Sequence, residues 1–333
     1  MPAIVAHGLR KSFAGRGGTV EAVRGVDLTV RAGEIFSLLG PNGAGKTTTL
    51  RMLTTLLPID GGSAHVAGID VARRPHDVRR RIGYVGQLGG ADLAATGREN
   101  LILQARLHGL SAKEARRRTG EVAELLALDG FLDRIARTYS GGQRRRLEVA
   151  LGIVHRPEVL FLDEPTSGLD PQNRANLWDH VRALRETGTT VVLVTHYLEE
   201  ADALADRVAI VDHGTVVAEG TPRELKQAIA GDAIVVRPKP QTADVERLRE
   251  RLAREPYVEE ARAEGDALRL YVDDGAEALP AVVDRLRADG VALAGIALSE
   301  ASLDDVFLRR TGRSLRDARP HPDPDGALQE VAA

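Results

Sequence analysis

Gly40-Pro41-Asn42-Gly43-Ala44-Gly45-Lys46-Thr47 spells G-x-x-x-x-G-K-T, and the fold follows from how these eight residues are read. They come after an apolar run, Ile35-Phe36-Ser37-Leu38-Leu39, and before a helix-like run from Thr47 to Leu57. Strand, glycine-rich loop and helix in that order make a cradle for the phosphates of a nucleotide. The glycines let successive backbone N–H groups turn inward around the β-phosphate, and the helix adds the positive end of its dipole. Lys46 is placed to neutralise β- and γ-phosphate oxygens, and the Thr47 hydroxyl to hold Mg²⁺. Thr48 joins the loop residues in the candidate nucleotide-binding set. The competing reading is an accidental glycine-rich turn, but the chain has only five lysines in 333 residues. The loop points to a nucleoside triphosphate and leaves open what its energy drives.

At 333 residues the chain has room for two domains. Its 43% hydrophobic and 28% charged residues suit a globular protein. With no cysteine, disulfides, zinc–thiolate sites and thiol catalysis are excluded. A net charge of −3 offers no basic field, so no nucleic-acid partner is expected. The arginine runs Arg79-Arg80-Arg81, Arg116-Arg117-Arg118 and Arg144-Arg145-Arg146 read mostly as solvated helix faces. No apolar stretch is long enough to span a bilayer and no signal pattern opens the chain, so neither a membrane crossing nor export is expected.

The first 230 residues alternate short apolar runs with helical stretches, which predicts an α/β domain with a largely parallel sheet. Ile35–Leu39, Val159–Leu162 and Val191–Thr195 are the best strands, each followed by a chemically loaded loop. Across residues 93–156 the strand signal gives way to helices. Two open on the capping boxes Thr96-x-x-Glu99 and Ser111-x-x-Glu114, and a third covers Gly141–His155 ahead of Pro157. Thr221-Pro222-Arg223-Glu224 opens the last helix of this domain. Over residues 231–311 the predicted order is βαββαβ, a small ferredoxin-like α+β domain. Its strands are Ala233–Arg237, Val258–Ala263, Ala267–Val272 and Val291–Leu298, and its helices Ala243–Arg254 and Ala276–Ala288, with a short helix at Ser302–Thr311. Residues 312–333, rich in proline and charge, read as a disordered tail.

Two further clusters carry chemistry. Val159-Leu160-Phe161-Leu162-Asp163-Glu164 is an apolar strand ending in paired carboxylates. Behind a phosphate loop, Asp163 is placed to hold Mg²⁺ and Glu164 to polarise a water for in-line attack on the γ-phosphate. Alone, the pair could simply cap the next helix. Tyr139-Ser140-Gly141-Gly142-Gln143 opens a helix with a hydroxyl and bare N–H groups, an anion-binding end that could equally be an ordinary N-cap.

With these marks in order, the chain resembles ATP-binding cassette (ABC) ATPases over about residues 3–225. Tyr139–Gln143 matches that family's LSGGQ signature with Tyr139 in the leading position. Gln87, in Ile82-Gly83-Tyr84-Val85-Gly86-Gln87, resembles the Q-loop. Ser167-Gly168-Leu169-Asp170 looks like the D-loop and His196 like the switch histidine. Phe13, in Lys11-Ser12-Phe13, falls where the family stacks an aromatic on adenine. Thr195–Asp202 and the segment Ser302-Leu303-Asp304-Asp305-Val306-Phe307-Leu308 followed by Thr311-Gly312 look like daunorubicin-resistance-type ATP-binding subunits of drug exporters.

The resemblance implies ATP and Mg²⁺ as cofactors, with Glu164, His196, Gln87 and Lys46 catalytic and Thr47, Gln87 and Asp163 around the metal. It also implies nucleotide contacts from Phe13, Gly40–Thr48, Ser140–Gln143 and Asp170. One chain carries one phosphate loop and one signature, so a homodimer with composite ATP sites is implied. A separate transmembrane permease completes the picture, with the chain peripheral on the cytoplasmic face of the membrane and Leu88 and Leu93 near the permease groove. Exporters of polysaccharides, ions or peptides share much of the pattern. Importer subunits and soluble ABC proteins fit it less well, because the chain has one uninterrupted cassette and a mixed α/β module after Gly231.

Overall fold

The computed structural model describes residues 1–15, 18–228, 232–239, 244–299 and 302–314. These divide into two units, Met1–Pro222 and Arg223–Ser314.

The first unit opens with two 14-residue strands, β1 (Pro2–Gly15) and β2 (Gly18–Arg31), followed by β3 (Ile35–Leu39) and α1 (Lys46–Leu53). Next come β4 (Gly61–Val66), β5 (Ile69–Asp70), α2 (Pro75–Arg81) and β6 (Ile82–Val85). Helices α3 (Gly97–Leu107), α4 (Ala112–Leu125) and α5 (Gly141–Ile153) precede β7 (Val159–Asp163). The unit continues through α6 (Pro171–Glu186), β8 (Thr190–Thr195), α7 (Leu198–Leu204), β9 (Arg207–Asp212) and β10 (Thr215–Gly220).

A six-stranded sheet runs β10-β9-β3-β8-β7-β6, parallel except at the β9–β10 edge. Every residue of β3, β7 and β8 is buried, because α5, α6 and α7 pack on one face of the sheet and α1 with β1, β2 and β4 on the other. The shared direction brings the loops after β3, β6, β7 and β8 to one edge, the carboxyl end where open α/β sheets hold ligands.

Two features differ from the sequence expectation. The amino-terminal region forms its own antiparallel sheet, β2-β1-β4-β5, rather than feeding the parallel one. Register shifts between Ala6 and Arg10 break the two-residue alternation in β1, which hid this strand. Helix α1 ends at Leu53, short of Leu57, because Thr55 takes φ +64° and the N–H groups of Leu56 and Leu57 both return to the Arg51 carbonyl.

Helices α3 to α5 form the insertion, and both predicted capping boxes, at Thr96/Glu99 and Ser111/Glu114, are made. Among the described residues no helix is long and apolar enough to cross a membrane.

The second unit begins within α8 (Pro222–Gln227) and contains β11 (Asp232–Pro238), α9 (Val245–Leu252), β12 (Glu260–Glu264) and β13 (Ala267–Val272). It ends with α10 (Gly275–Ala288), β14 (Leu293–Ser299) and α11 (Leu303–Thr311). The antiparallel order β12-β13-β11-β14 is that of a ferredoxin-like sandwich. Leu248 and Leu252 of α9 and Val282 and Leu286 of α10 close over Ile234, Val236, Leu268 and Leu270. The predicted start of α9 at Ala243 and the tail from residue 315 onward lie outside the described residues.

Candidate nucleotide site

At the end of β3 the chain turns through Gly40–Gly45 into α1. A Cβ added at Gly40 would collide with the Val211 carbonyl, and one at Gly45 with the Ala22 carbonyl. Gly45 also sits at φ +97° as the residue before the helix, so glycine is required there twice over. Pro41 and Ala44 are buried while Asn42 and Gly43 face solvent. Thr48 is buried in the first turn of α1.

Lys46 is 4% exposed, and its ammonium donates to the carbonyls of Gly40 and Pro41, both at 2.8 Å. Burial lowers its pKa from 10.5 to about 8, against the opposing charges of Glu164 and Asp163. Thr47 Oγ1 donates to Asp163 Oδ1 at 3.0 Å. Burial pushes the Asp163 carboxyl up, with the Thr47 hydrogen bond opposing and the Glu164 charge adding.

Glu164 has φ +47°, a left-handed conformation seldom taken by a residue with a Cβ. Its carboxylate accepts from Gln87 Nε2 at 3.3 Å, and its other oxygen lies 2.9 Å from His196 Nδ1. Burial raises the Glu164 carboxyl, but the His196 hydrogen bond and the charges of His196, Lys46 and Arg145 outweigh it, so its pKa is lowered. Lys46, Thr47, Asp163, Glu164, Gln87 and His196 therefore form one connected cluster from four neighbouring strand ends. A hydroxyl beside a carboxylate is the hard oxygen donor set that Mg²⁺ takes, so Thr47 and Asp163 fit that ion.

Phe13 lies in β1 opposite Val20 of β2, two residues along from the Ala22 carbonyl that abuts Gly45. The Lys11 ammonium sits 5.6 Å from its ring centre.

The Ser140–Gln143 segment is arranged differently. Ser140 caps α5, accepting from the Gln143 N–H in a full capping box, and both Ser140 and Gly141 are exposed. Gly142 is buried against Asn173 of α6, whose amide donates to Asp170, the N-cap of that helix. Within the chain, then, Gly142 packs beside Asp170 through Asn173, and Gly141 lines a small cleft with Gln87 and Glu164. Tyr139, in the leading signature position, is buried with its hydroxyl donating to the Phe131 carbonyl.

Of the arginine runs, Arg79, Arg80, Arg81, Arg116 and Arg117 are exposed as expected, but others turn inward. Arg145 is 7% exposed, and its guanidinium donates to the Pro165, Gly86 and Asp163 carbonyls and to Glu148. Arg118 donates to the Ile153 and Val154 carbonyls. Helix phase carried the signal: Gly142, Arg145 and Val149 are buried at steps of three and four along α5. Glu200 was missed as well. It is fully buried one turn after His196, and its carboxylate accepts from Trp178 Nε1 at 3.3 Å.

The fold and this cluster define the class: a phosphate-loop nucleoside triphosphatase of the ATP-binding cassette type. The ABC transporter family model matches residues 23–167, and the model of the ATP-binding protein DrrA1-3-like C-terminal domain matches residues 220–311. The daunorubicin/doxorubicin resistance ATP-binding protein DrrA of Streptomyces peucetius is 45% identical, with 99% of this chain and 96% of that protein covered. A Nod factor export ATP-binding protein I of Burkholderia thailandensis is 42% identical over 89% of this chain and 93% of its own. A dimeric ATP-binding cassette solved in a post-hydrolysis state with ADP and Pi superposes with a TM-score of 0.61 at 26% identity, covering 66% of this chain and 98% of that one. The chain belongs to the ATP-binding subunits of ABC transporters, in the branch that carries a DrrA-like C-terminal domain. It is an ATPase, and ATP is its nucleotide.

Proposed function

We propose that this chain powers efflux of a drug through a separate membrane permease, working as a homodimer on the cytoplasmic face of the membrane. The observation that carries this reading is the single cluster of Lys46, Thr47, Asp163, Glu164, Gln87 and His196, with Ser140 facing solvent outside it. Lys46 and the N–H groups of Gly40–Thr48 hold the phosphates. Thr47 and Asp163 would hold Mg²⁺, with Gln87 beside it, and the bound ion would supply positive charge to the phosphate oxygens. Glu164, ionised and oriented by His196, takes the proton of the attacking water. Phe13 stacks on the adenine. Ser140, Gly141, Gly142, Gln143 and Asp170 of a second copy close over the γ-phosphate, so hydrolysis requires that the two copies meet. Residues 1–230 are the working cassette with a helical subdomain at 93–156, and residues 231–311 are a dimer-stabilising or regulatory appendage.

The drug assignment is supported by relatives named for daunorubicin and doxorubicin resistance, aligned along almost the whole chain. A second reading, export of another cargo class such as a polysaccharide, an ion or a peptide, is kept open by relatives named for Nod factor export at 40–42% identity. Inside-out vesicles carrying this chain and its cognate permease decide between them. Daunorubicin should accumulate with ATP and not with a non-hydrolysable analogue. Intact ATP hydrolysis without daunorubicin uptake would move the assignment to the second cargo class.

A further inference from the structure

The buried guanidinium of Arg145 is the feature of this cassette that the mechanism above leaves unused. It belongs to α5, the helix that Ser140 opens, yet most of its hydrogen bonds leave that helix. Nε donates to the Pro165 carbonyl at 2.7 Å, Nη2 to the Asp163 carbonyl at 3.1 Å and Nη1 to the Gly86 carbonyl at 2.9 Å. The first two carbonyls flank Glu164, the residue held at φ +47°, and the third precedes Gln87. Nη1 also donates to Glu148 at 2.8 Å, with both side chains at most 10% exposed. Glu148 in turn packs so closely on Gly89 that a Cβ there would collide with its carboxylate. The pair thus grips the Gln87 loop at Gly86 and at Gly89, and the Glu164 turn on both sides.

We propose that Arg145 is a positioning residue. It holds Glu164 in its left-handed conformation and Gln87 against it, and it ties both to the helix whose first turn carries Ser140. Only a planar fork reaches three carbonyls that diverge in this way. A lysine ammonium keeps the charge toward Glu148 but gathers its donors at one point. The inference rests on the reading of Glu164 as the residue that activates water.

Arg145→Lys tests it, because it keeps the buried positive charge beside Glu148 and so leaves no uncompensated charge of the kind that unfolds a domain, whereas Glu148→Gln, the second variant, removes the ion-pair partner and keeps the carbonyl contacts. For R145K we expect kcat for ATP hydrolysis to fall about tenfold to a hundredfold. Equilibrium affinity for a fluorescent ATP analogue should stay within about twofold of wild type, and so should the ATP-driven dimerisation of R145K/E164Q relative to E164Q alone. E148Q should lose less activity, because the three carbonyl contacts remain. Unchanged kcat in R145K overturns the proposal. So does a kcat loss matched by lost affinity and a lower melting temperature, since that is what a merely structural ion pair gives. Wild-type protein that binds ATP but never hydrolyses it would instead sink the underlying reading of Glu164, which separates the two failures.

Discussion

The phosphate-loop end and the signature end of the cassette are built from the same materials, glycines and hydroxyls at a helix N-terminus, and they are finished to different degrees. At the phosphate loop the backbone is packed so tightly that Gly40 and Gly45 tolerate no Cβ, and Lys46 is almost fully buried. Thr47 reaches a carboxylate 116 residues away in sequence. At the signature, Ser140 is satisfied by its own helix through a capping box, and its outer face is open to solvent. One end is a completed half-site; the other packs Gly142 as closely against Asn173 but leaves Ser140 and Gly141 facing solvent. On the proposed function, the difference means that catalytic power is held at the first end, while its release depends on what meets the second.

The strongest way to break that comparison is Glu164→Gln. The amide keeps the size of the side chain and loses the base, so kcat should fall by about a hundredfold to ten-thousandfold while ATP binding persists. Steady-state hydrolysis with a parallel binding titration measures both, and hydrolysis near the wild-type rate would remove Glu164 from the role of base.

Lys46→Ala comes next. A hydrogen bond to a charged group is worth about 1.5–3 kcal/mol, so ATP affinity should drop about tenfold to a hundredfold. Unchanged affinity would mean that the phosphates lie elsewhere.

The same lysine gives a pH signature of similar or smaller size. In the free protein its pKa is about 8, lowered from 10.5 by burial, whereas triphosphate beside it favours the charged form. ATP affinity should therefore fall about tenfold between pH 7 and pH 9, with uptake of a proton on binding at the upper end. Nucleotide-free stability runs the opposite way. The unfolded chain keeps the proton to higher pH than the folded one, so this group's burial cost is relieved as pH rises from 8 toward 10.5. Calorimetry in two buffers of different ionisation enthalpy reads the proton uptake directly, and its absence in K46A would assign it to this residue.

What the sequence disclosed follows the same division. The phosphate loop was legible because its demands are local: glycine where φ is positive or a carbonyl intrudes, then lysine and threonine at fixed offsets. The ferredoxin-like unit was legible because its strands and helices switch period cleanly, so only its element ends shifted by a residue or two. Arg145 was not legible, because three arginines in a row look alike until α5 is docked and one of them turns inward. The β1–β2 pair was hidden by bulges that interrupt alternation, and the end of α1 by Thr55, a residue with no intrinsic preference for positive φ. In each of these cases tertiary packing overrode the local pattern.

The finest test of the comparison is Ser140→Ala, where the expected effect on nucleotide binding is the smallest. The substitution deletes the side-chain half of the capping box, so the Gln143 N–H loses its acceptor and the first turn of α5 frays. Losing such a cap costs about 1 kcal/mol. In dilute monomer, ATP affinity should stay within about twofold of wild type, because Ser140 stands outside its own chain's Lys46 cluster. Hydrolysis, measured as protein concentration is raised, should fall well below wild type if the same hydroxyl serves a second copy. A loss of monomer affinity as large as that of K46A would show the two ends to be one site within a single chain, and the asymmetry between them would disappear.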